Sequence, residues 1–238
     1  MTILAVDTSG GIAGVSIVSD GNIKYEASTN NKLTHSVNLM PMIEESLNRS
    51  GTTIKDIDIF ACVVGPGSFT GVRIGVNTIR GMAHGVNKPV IAIDTLEALA
   101  YGVINSISII CPILDARANQ VYGAAFSTGN TPTRLLEDTA LSLPLYLEKI
   151  LEISKNSDTY YFVGDGVTPY KTAITDILGD KAYFAPAHLA MLRPASVALL
   201  AYNKLDTADN YLSLLPNYLR APQAERELNK RLGLQSNA

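Results

Sequence analysis

Apolar and polar positions follow one another along the chain in a way that predicts short strands and amphipathic helices. Three apolar runs, at residues 3–6, 15–18 and 23–27, are separated by turn-forming residues and predict an antiparallel meander. Farther on, unbroken apolar runs predict strands, and apolar residues at three- and four-residue steps predict helices. These further elements are expected at residues 36–48 (helix), 59–64 (strand), 69–85 (helix), 90–93 (strand) and from residue 94 onward (helix).

The second half of the chain repeats this order of elements. A strand at 107–114 ends in Asp115, as the first strand ends in Asp7, and a turn leads back into a strand at 121–126. A helix, a strand, a helix and a strand follow at residues 143–153, 160–163, 168–178 and 182–184. The repeat predicts an α/β fold of two lobes, each with a mixed sheet and flanking helices. The expected divisions are 1–105 for the first lobe, 106–192 for the second, 193–214 for a helix that packs back on the first lobe, and 215–238 for a tail.

The composition indicates a folded globular protein and disfavours nucleic acid or a membrane as its main ligand. About 47% of the 238 residues are hydrophobic, and the net charge is -3. Affinity for phosphate backbones needs clustered Lys and Arg, which this charge balance does not suggest. Cys62 and Cys111 each lie in an apolar run and are expected to be buried free thiols. No basic stretch precedes the first apolar segment and no apolar run is long enough to span a bilayer, so the expected location is cytoplasmic.

Carboxylates at strand ends are the first candidates for chemistry. Asp7 and Thr8 follow the first strand, Asp115 follows its counterpart, and Asp165 lies in the glycine turn 164–166. Hairpins at such positions can present backbone N–H groups to phosphate oxygens, while carboxylates hold Mg²⁺ through water. One candidate function is therefore an ATP-dependent phosphotransferase or ATPase that uses Asp7 and Asp165 with magnesium. The alternative is structural, because Asp and Gly are also the residues that tight turns require.

The segment Gly-Pro-Gly-Ser-Phe-Thr-Gly, at residues 65–71, is the most distinctive local motif. A glycine turn between a buried strand and a helix could hold an anion at the helix N-terminus. The motif lacks the Gly-Lys-Ser/Thr ending of a P-loop and the Gly-x-Ser-x-Gly pattern of a nucleophile elbow. For Gly65 and Gly67, anion binding and close packing both stay open. Gly75 and Gly81 are expected to permit close packing of the helix.

The histidines predict no metal site. His35, His84 and His188 each lack a second His or a Cys at ligand spacing. Ser36 directly precedes a helical pattern and is expected to be its N-cap. No Ser/His/Asp pattern indicates nucleophilic catalysis.

Several segments together resemble the bacterial TsaB (YeaZ) family. They are Ile-Leu-Ala-Val-Asp-Thr-Ser at 3–9, His-Ser at 35–36, the glycine motif with its helix at 65–85, Asp-Thr-Leu-Glu-Ala-Leu at 94–99, Asp-Ala-Arg at 115–117 and Pro-Asn-Tyr-Leu-Arg at 216–220. The resemblance covers nearly the whole chain. It implies a duplicated, actin-like (ribonuclease H-like) fold and a role in making threonylcarbamoyladenosine beside the anticodon of tRNAs that read codons starting with A.

The resemblance also implies partners and roles. The catalytic relative TsaD carries a metal-binding His-x-x-x-His motif, whereas this chain has His35 followed by Leu39. The chain is therefore expected to be a non-catalytic accessory subunit that binds TsaD, helps to recruit the ATPase TsaE, and leaves most tRNA contact to its partner. No catalytic residue, metal or cofactor of its own is expected, with ATP and Mg²⁺ considered only at an interface with partners. A vestigial nucleotide cleft would lie at Asp7, Thr8, Gly65 and Gly67.

Two helices of the first lobe are the surface that the resemblance implies for a homodimer and for the heterodimer with TsaD. The helices, at 36–48 and 69–85, carry more apolar positions than one buried stripe needs, and Met suits a surface that must accept two partners. The alternative is that both helices are covered by their own lobe. The expected interface residues are Leu39, Met40, Met42, Ile43, Val72, Val76 and Ile79.

Overall fold

The first lobe is built on a five-stranded mixed sheet. Its strands and helices are β1 (Thr2–Asp7), β2 (Ala13–Ser19), β3 (Asn22–Thr29), α1 (His35–Ser50), β4 (Ile59–Gly65), α2 (Phe69–Val86), β5 (Val90–Asp94) and α3 (Thr95–Tyr101). The strand order is β3-β2-β1-β4-β5, antiparallel between β1, β2 and β3 and parallel between β1, β4 and β5. The structure is a computed structural model that describes residues 1–31, 34–104, 108–129, 131–155, 158–221 and 231.

The second lobe has the same topology. Its elements are β6 (Ser108–Asp115), β7 (Gln120–Phe126), β8 (Arg134–Ser142), α4 (Leu143–Glu152), β9 (Thr159–Val163), α5 (Val167–Leu178) and β10 (Ala182–Phe184). The last helix, α6 (Pro194–Tyr202), packs back on the sheet of the first lobe. The strand order β8-β7-β6-β9-β10 matches that of the first sheet strand for strand, with the same parallel and antiparallel pairs. The predicted α/β fold with a duplicated sheet is confirmed.

Strand β8 is an element that the sequence pattern did not predict. It lies at the edge of the second sheet and pairs only with β7 among the described strands. Most of its residues are half-buried, and the adjacent acidic residues Glu137 and Asp138 interrupt the alternation of apolar and polar positions. An edge strand with one solvated face gives a weaker pattern than the fully buried β4.

Helix α1 begins one residue earlier than predicted, and its N-cap is Thr34 rather than Ser36. Neither hydroxyl caps a backbone N–H of the helix; Thr34 Oγ1 and Ser36 Oγ lie 3.1 Å apart. The helix ends at Gly51, which has a φ of 67° in the left-handed region that favours glycine. Ser68 caps α2 by accepting a hydrogen bond from the Gly71 N–H at 3.2 Å.

One continuous apolar core joins the two lobes. It includes Ile3 and Ala5 of β1 together with Ile110 and Phe126 of the second sheet, and it is completed by residues of α3 and α6. Helix α6 packs on β1 and β2 so closely that a Cβ built at Gly14 would lie 2.2 Å from Pro194 Cγ. The shared core indicates that the lobes fold as one unit, while the exact boundaries between them stay a prediction.

A second core cluster lies between the first sheet and the helices α1 and α2, and it corrects the predicted interface. Five of the residues expected to face a partner are at most 2% exposed and pack inside this cluster. They are the apolar stripes by which each helix covers its own sheet, so they cannot contact a partner in this structure. The five are Leu39, Ile43, Val72, Val76 and Ile79.

Both cysteines are buried and free, as predicted. Burial raises the pKa of Cys62 well above its ordinary value and that of Cys111 to about 12, so both thiols stay protonated at neutral pH. Within the described residues, no helix combines the length and the apolar character needed to cross a bilayer.

Candidate functional site

A cavity of about 520 Å³ lies in the cleft between the two lobes. Four segments line it: the loop 9–11 after β1, the glycine motif at 66–70, the turn 114–117 after β6, and residues 217–221. The carboxyl ends of β1 and β6, which correspond to each other in the two sheets, both reach this cleft. Of the strand-end residues that the sequence singled out, Asp115 and Asp165 line this cavity, whereas Asp7 and Thr8 do not.

The first-lobe wall of the cleft is held by close backbone contacts. A Cβ built at Gly67 would lie 2.3 Å from Ser9 O, and one built at Gly71 would lie 2.0 Å from Thr8 O. The Ser68 N–H donates to Ser9 O at 2.6 Å, and Thr8 Oγ1 donates to Gly71 O at 2.7 Å. No side chain fits between the glycine motif and the end of β1. These contacts give Gly67 a packing role.

The other glycines in question differ in their surroundings. At Gly65 a Cβ would lie 2.5 Å from Asn217 O, so this glycine also permits a close backbone approach. At Gly75 it would lie 2.6 Å from Thr8 Oγ1, in agreement with the packing role predicted for that residue. The packing prediction for Gly81 is wrong, because this residue is exposed and no atom lies within 4 Å of its Cβ position.

Asp7 lies apart from the main cavity. Its side chain is 3% exposed, and its Oδ1 accepts a hydrogen bond from the Ser9 N–H at 2.8 Å. Burial raises the pKa of the Asp7 carboxyl, and the bond from Ser9 opposes this only in part. Asp7 instead lines an adjoining cavity of about 20 Å³, together with Thr95 and Asp165. The two cavities share lining residues, Asp165 among them. The space directly beside Asp7 holds about one water molecule.

The second-lobe wall is formed by the turn after β6. The Asp115 N–H donates to Asp165 Oδ1 at 3.0 Å, and the Arg117 N–H donates to Asp115 Oδ1 at 2.8 Å. Residues 117–119 have φ values of 60°, 53° and 59°, although none of them is glycine. Burial raises the pKa of Asp165, and the nearby Asp115 carboxylate raises it further. The carboxylates of Asp115 and Asp165 both line the main cavity, but one oxygen of each accepts a hydrogen bond from a backbone N–H group.

The candidate site contains no metal centre in the part of the chain that the structure describes. No group of three or more His, Cys, Asp or Glu residues there could hold a metal ion. The imidazole of His35 is held by Gly10, with its Nε2 2.9 Å from Gly10 O. Leu39, one helical turn along, is a core residue.

The C-terminal segment supplies cleft residues that reasoning from chemistry missed. The Tyr218 and Phe69 rings stack with centroids 4.6 Å apart, and Arg73 Nε donates to the Tyr218 hydroxyl at 2.7 Å. Arg220 Nη1 donates to Ala116 O in the second lobe at 2.9 Å. The motif Pro-Asn-Tyr-Leu-Arg was the signal in the sequence, but its contacts depend on the three-dimensional arrangement.

The outer surface of α1 is the other candidate site. Met40 is 52% exposed and Val37 is 58% exposed, whereas Met42 is only partly exposed and packs against the core. In the last turns of α2, Gly81 and Gly85 are also exposed. Of the predicted interface residues, Met40 is therefore the one with a largely exposed side chain.

The sequence is similar to proteins of tRNA modification. A family model described as TsaD, tRNA N6-adenosine threonylcarbamoyltransferase, matches residues 29–228. The tRNA threonylcarbamoyladenosine biosynthesis protein TsaB of Bacillus subtilis is 35% identical over 226 residues, which make up 94% of this chain and 96% of that protein. The TsaB protein of Escherichia coli is 37% identical over 130 residues, or 53% of this chain and 55% of that protein.

Solved structures support the fold. YeaZ from Pseudomonas aeruginosa superimposes with a TM-score of 0.75 at 22% identity, over 92% of this chain and 99% of that chain. The ethanolamine utilization protein EutJ from Carboxydothermus hydrogenoformans gives a TM-score of 0.50 at 12% identity, over 84% and 89% of the two chains. At these identities the likeness establishes the architecture alone, and it confirms the predicted actin-like fold.

Proposed function

Since the chain belongs to the TsaB family and has a role in tRNA threonylcarbamoyladenosine biosynthesis, we propose that it acts there as a non-catalytic partner of TsaD. In this proposal it supports transfer of threonylcarbamoyl to the adenosine beside the anticodon of tRNAs that read codons starting with A. It pairs with TsaD through the outer surface of α1 and α2, pairs with a second copy of itself through the same surface, and helps TsaE to join the complex. This work takes place in the cytosol.

The exposed apolar side chains on the outer surface of α1 are the observation that carries this proposal. Met40 and Val37 are more than half exposed, although α1 buries a full apolar stripe against its own sheet. Gly81 and Gly85 of α2 are exposed, with no atom within 4 Å of their Cβ positions, so a partner helix could approach the α2 backbone closely there. Val37 and Met40 are three residues apart and so lie on one face of α1, where they form a contiguous exposed apolar patch.

The cleft supports a non-catalytic role. Asp7 is buried away from the main cavity, with a pKa raised by burial, and Asp165 is partly engaged by the Asp115 N–H. Neither residue presents a free carboxylate in the way that a magnesium phosphate site needs. The net charge of -3 also supports the proposal that TsaD, rather than this chain, makes most of the contact with tRNA.

The interface can be tested with two matched substitutions. Met40→Arg places a charge on the proposed surface, and Ile177→Arg places one on α5 of the second lobe, where the apolar side chain is 50% exposed against 52% for Met40. We expect Met40→Arg to weaken the complex with purified TsaD by about a hundredfold or more, since an unpaired charge buried at an interface costs several kcal/mol. Ile177→Arg should bind as the wild type does.

Size-exclusion chromatography with light scattering measures the complex, and threonylcarbamoyl transfer to tRNA measures function. Activity should appear only when TsaD is present. An intact complex with Met40→Arg would contradict the proposed surface. Ile43→Arg is unsuitable for this test, because Ile43 is 1% exposed and its replacement would unfold the lobe.

The cleft volume favours a second candidate function, an ATP-dependent phosphotransferase or ATPase that uses Asp7 and Asp165 with magnesium. About 520 Å³ lies within the range of small-molecule sites. Asp7 lines the smaller cavity instead of the main one, which argues against this second function. Calorimetry of the isolated chain with magnesium and ATP distinguishes the two: tight binding that is lost in Asp165→Asn would favour this candidate. ATP held only in the presence of TsaD would instead indicate a nucleotide at the interface with partners.

A further inference from the structure

Residues 214–221 run from the core of the first lobe, across the cleft, to the second lobe. Leu214 is 1% exposed and belongs to the core cluster beneath α2. Three residues later, the Asn217 N–H donates to Val64 O of β4 at 2.7 Å. The segment therefore continues the packed structure of the first lobe and does not lie loosely on its surface.

The middle of this segment is fixed to the first turn of α2. Tyr218 stacks on Phe69, and the Arg73 guanidinium lies 3.9 Å from the centroid of the Phe69 ring and 5.6 Å from that of Tyr218. The hydrogen bond from Arg73 Nε to the Tyr218 hydroxyl completes the group. Stacking, a cation–π contact and a hydrogen bond from a charged donor each stabilise such an arrangement.

The end of the segment reaches the second lobe. Arg220 Nη1 donates to Ala116 O, in the turn between β6 and β7, at 2.9 Å. Ala116 is 7% exposed and follows Asp115 directly, so this bond attaches to the wall of the cleft rather than to a surface loop. Residues 217–221 also line the cavity of about 520 Å³.

Gly65 explains why the segment can lie so close to the glycine motif. A Cβ at this position would lie 2.5 Å from Asn217 O, and the φ of 116° is in any case unfavourable for a side chain. The first glycine of the motif thus accommodates the C-terminal segment, a role distinct from anion binding.

We propose that residues 214–221 form a clasp that, in addition to the shared core, restricts the angle between the two lobes and thereby the width of the cleft. The clasp has one attachment in the first lobe, at Asn217 and Tyr218, and one in the second lobe, at Arg220. Because both attachments lie on one short segment, release of either end loosens the other. This inference does not depend on TsaD or on any ligand.

Amide hydrogen exchange measures the clasp directly. The Asn217 N–H is protected by its bond to Val64 O, so its exchange rate reports on how often the segment detaches. We expect about tenfold faster exchange of this amide in Tyr218→Ala and in Arg220→Ala. Leu215→Ala is the matched control, because Leu215 lies in the same segment but is 60% exposed; its exchange should equal that of the wild type.

Spin labels measure the angle between the lobes. The labels are placed at Lys55→Cys in the first lobe and Asp176→Cys in the second, both exposed, while Cys62 and Cys111 are fully buried. Dilution with unlabelled chain restricts the measurement to distances within one molecule. We expect Arg220→Ala to broaden the distance distribution relative to the wild type and to Leu215→Ala. Unchanged Asn217 exchange in Arg220→Ala, or faster exchange with an unchanged distance distribution, would overturn the clasp.

Discussion

Two glycines of α2 should respond in opposite directions to the same substitution. At Gly71 a Cβ would lie 2.0 Å from Thr8 O and 3.2 Å from a ring carbon of His35. At Gly81 no atom lies within 4 Å of the Cβ position. Gly71→Ala and Gly81→Ala each add one methyl group to the same helix, so each variant is the control for the other.

The expected magnitudes follow from these contacts. Thr8 O is a backbone atom, and Thr8 Oγ1 also donates to Gly71 O at 2.7 Å, so the end of β1 cannot move away without losing that bond. Overpacking costs about 1–3 kcal/mol, and a lost hydrogen bond costs about 1 kcal/mol. We expect Gly71→Ala to lower the free energy of unfolding by about 2–4 kcal/mol. At Gly81 helix propensity acts alone and favours Ala by about 0.5–1 kcal/mol.

Urea unfolding followed by circular dichroism measures both changes. Measurement at two protein concentrations separates any contribution from self-association. In thermal unfolding, each kcal/mol should move the Tm by about 2–4 °C for a chain of this size. Stability of Gly71→Ala equal to that of the wild type would refute the packing argument. A loss of stability in Gly81→Ala at the lower concentration would refute the exposure of that residue.

Two further predictions concern charged groups inside the fold. Burial raises the pKa of Asp7, so as the pH rises this carboxyl ionises in the unfolded chain before it does so in the folded one. The free energy of unfolding therefore falls as the pH rises from the ordinary pKa of about 3.8 through the raised pKa. The stability of Asp7→Asn relative to the wild type should therefore increase as the pH rises through this range. Urea unfolding of both proteins between about pH 4 and about pH 8 measures the difference in their free energies of unfolding, and a difference that stays constant with pH would contradict the raised pKa. Arg134 of β8 pairs with Asp138 and, across the lobes, with Asp94 Oδ1 at 3.2 Å. Arg134→Ala should lower the free energy of unfolding by about 1–3 kcal/mol. Arg49→Ala, which removes an exposed ion pair, should lower it by about 0–0.5 kcal/mol. Equal losses of stability in urea unfolding would contradict this prediction.

The sequence pattern was sufficient for elements whose burial is the same along their whole length. Strand β4 is buried at every position and gives an unbroken apolar run, so it was predicted closely. Strand β8 has half-buried positions and an acidic pair, and its formation depends on the partner strand β7. The repeat of element order was sufficient to predict the duplicated fold, because the same order of elements forms a sheet with the same strand order in each lobe.

The pattern was not sufficient to decide what covers a helix. Leu39, Ile43 and Val76 have the spacing of an apolar stripe, but spacing does not tell whether the stripe faces the helix's own sheet or a partner. The same holds for Gly75 and Gly81, which lie about 120° apart around α2: a Cβ at Gly75 would meet Thr8, whereas one at Gly81 would meet nothing within 4 Å. Only the position of β1 relative to α2 distinguishes them.

Helix α2 connects the two candidate sites. Phe69 and Arg73, near its N-terminus, hold the clasp, and Gly81, in its later turns, is exposed on the outer surface of the first lobe. An α-helix of 18 residues is about 27 Å long and moves as a rigid body. Its buried stripe fixes it to the first sheet, so a partner bound to the outer surface is linked through that sheet to the wall of the cleft. In the proposed complex, a partner on this surface would therefore bind the same lobe that holds the Tyr218 end of the clasp.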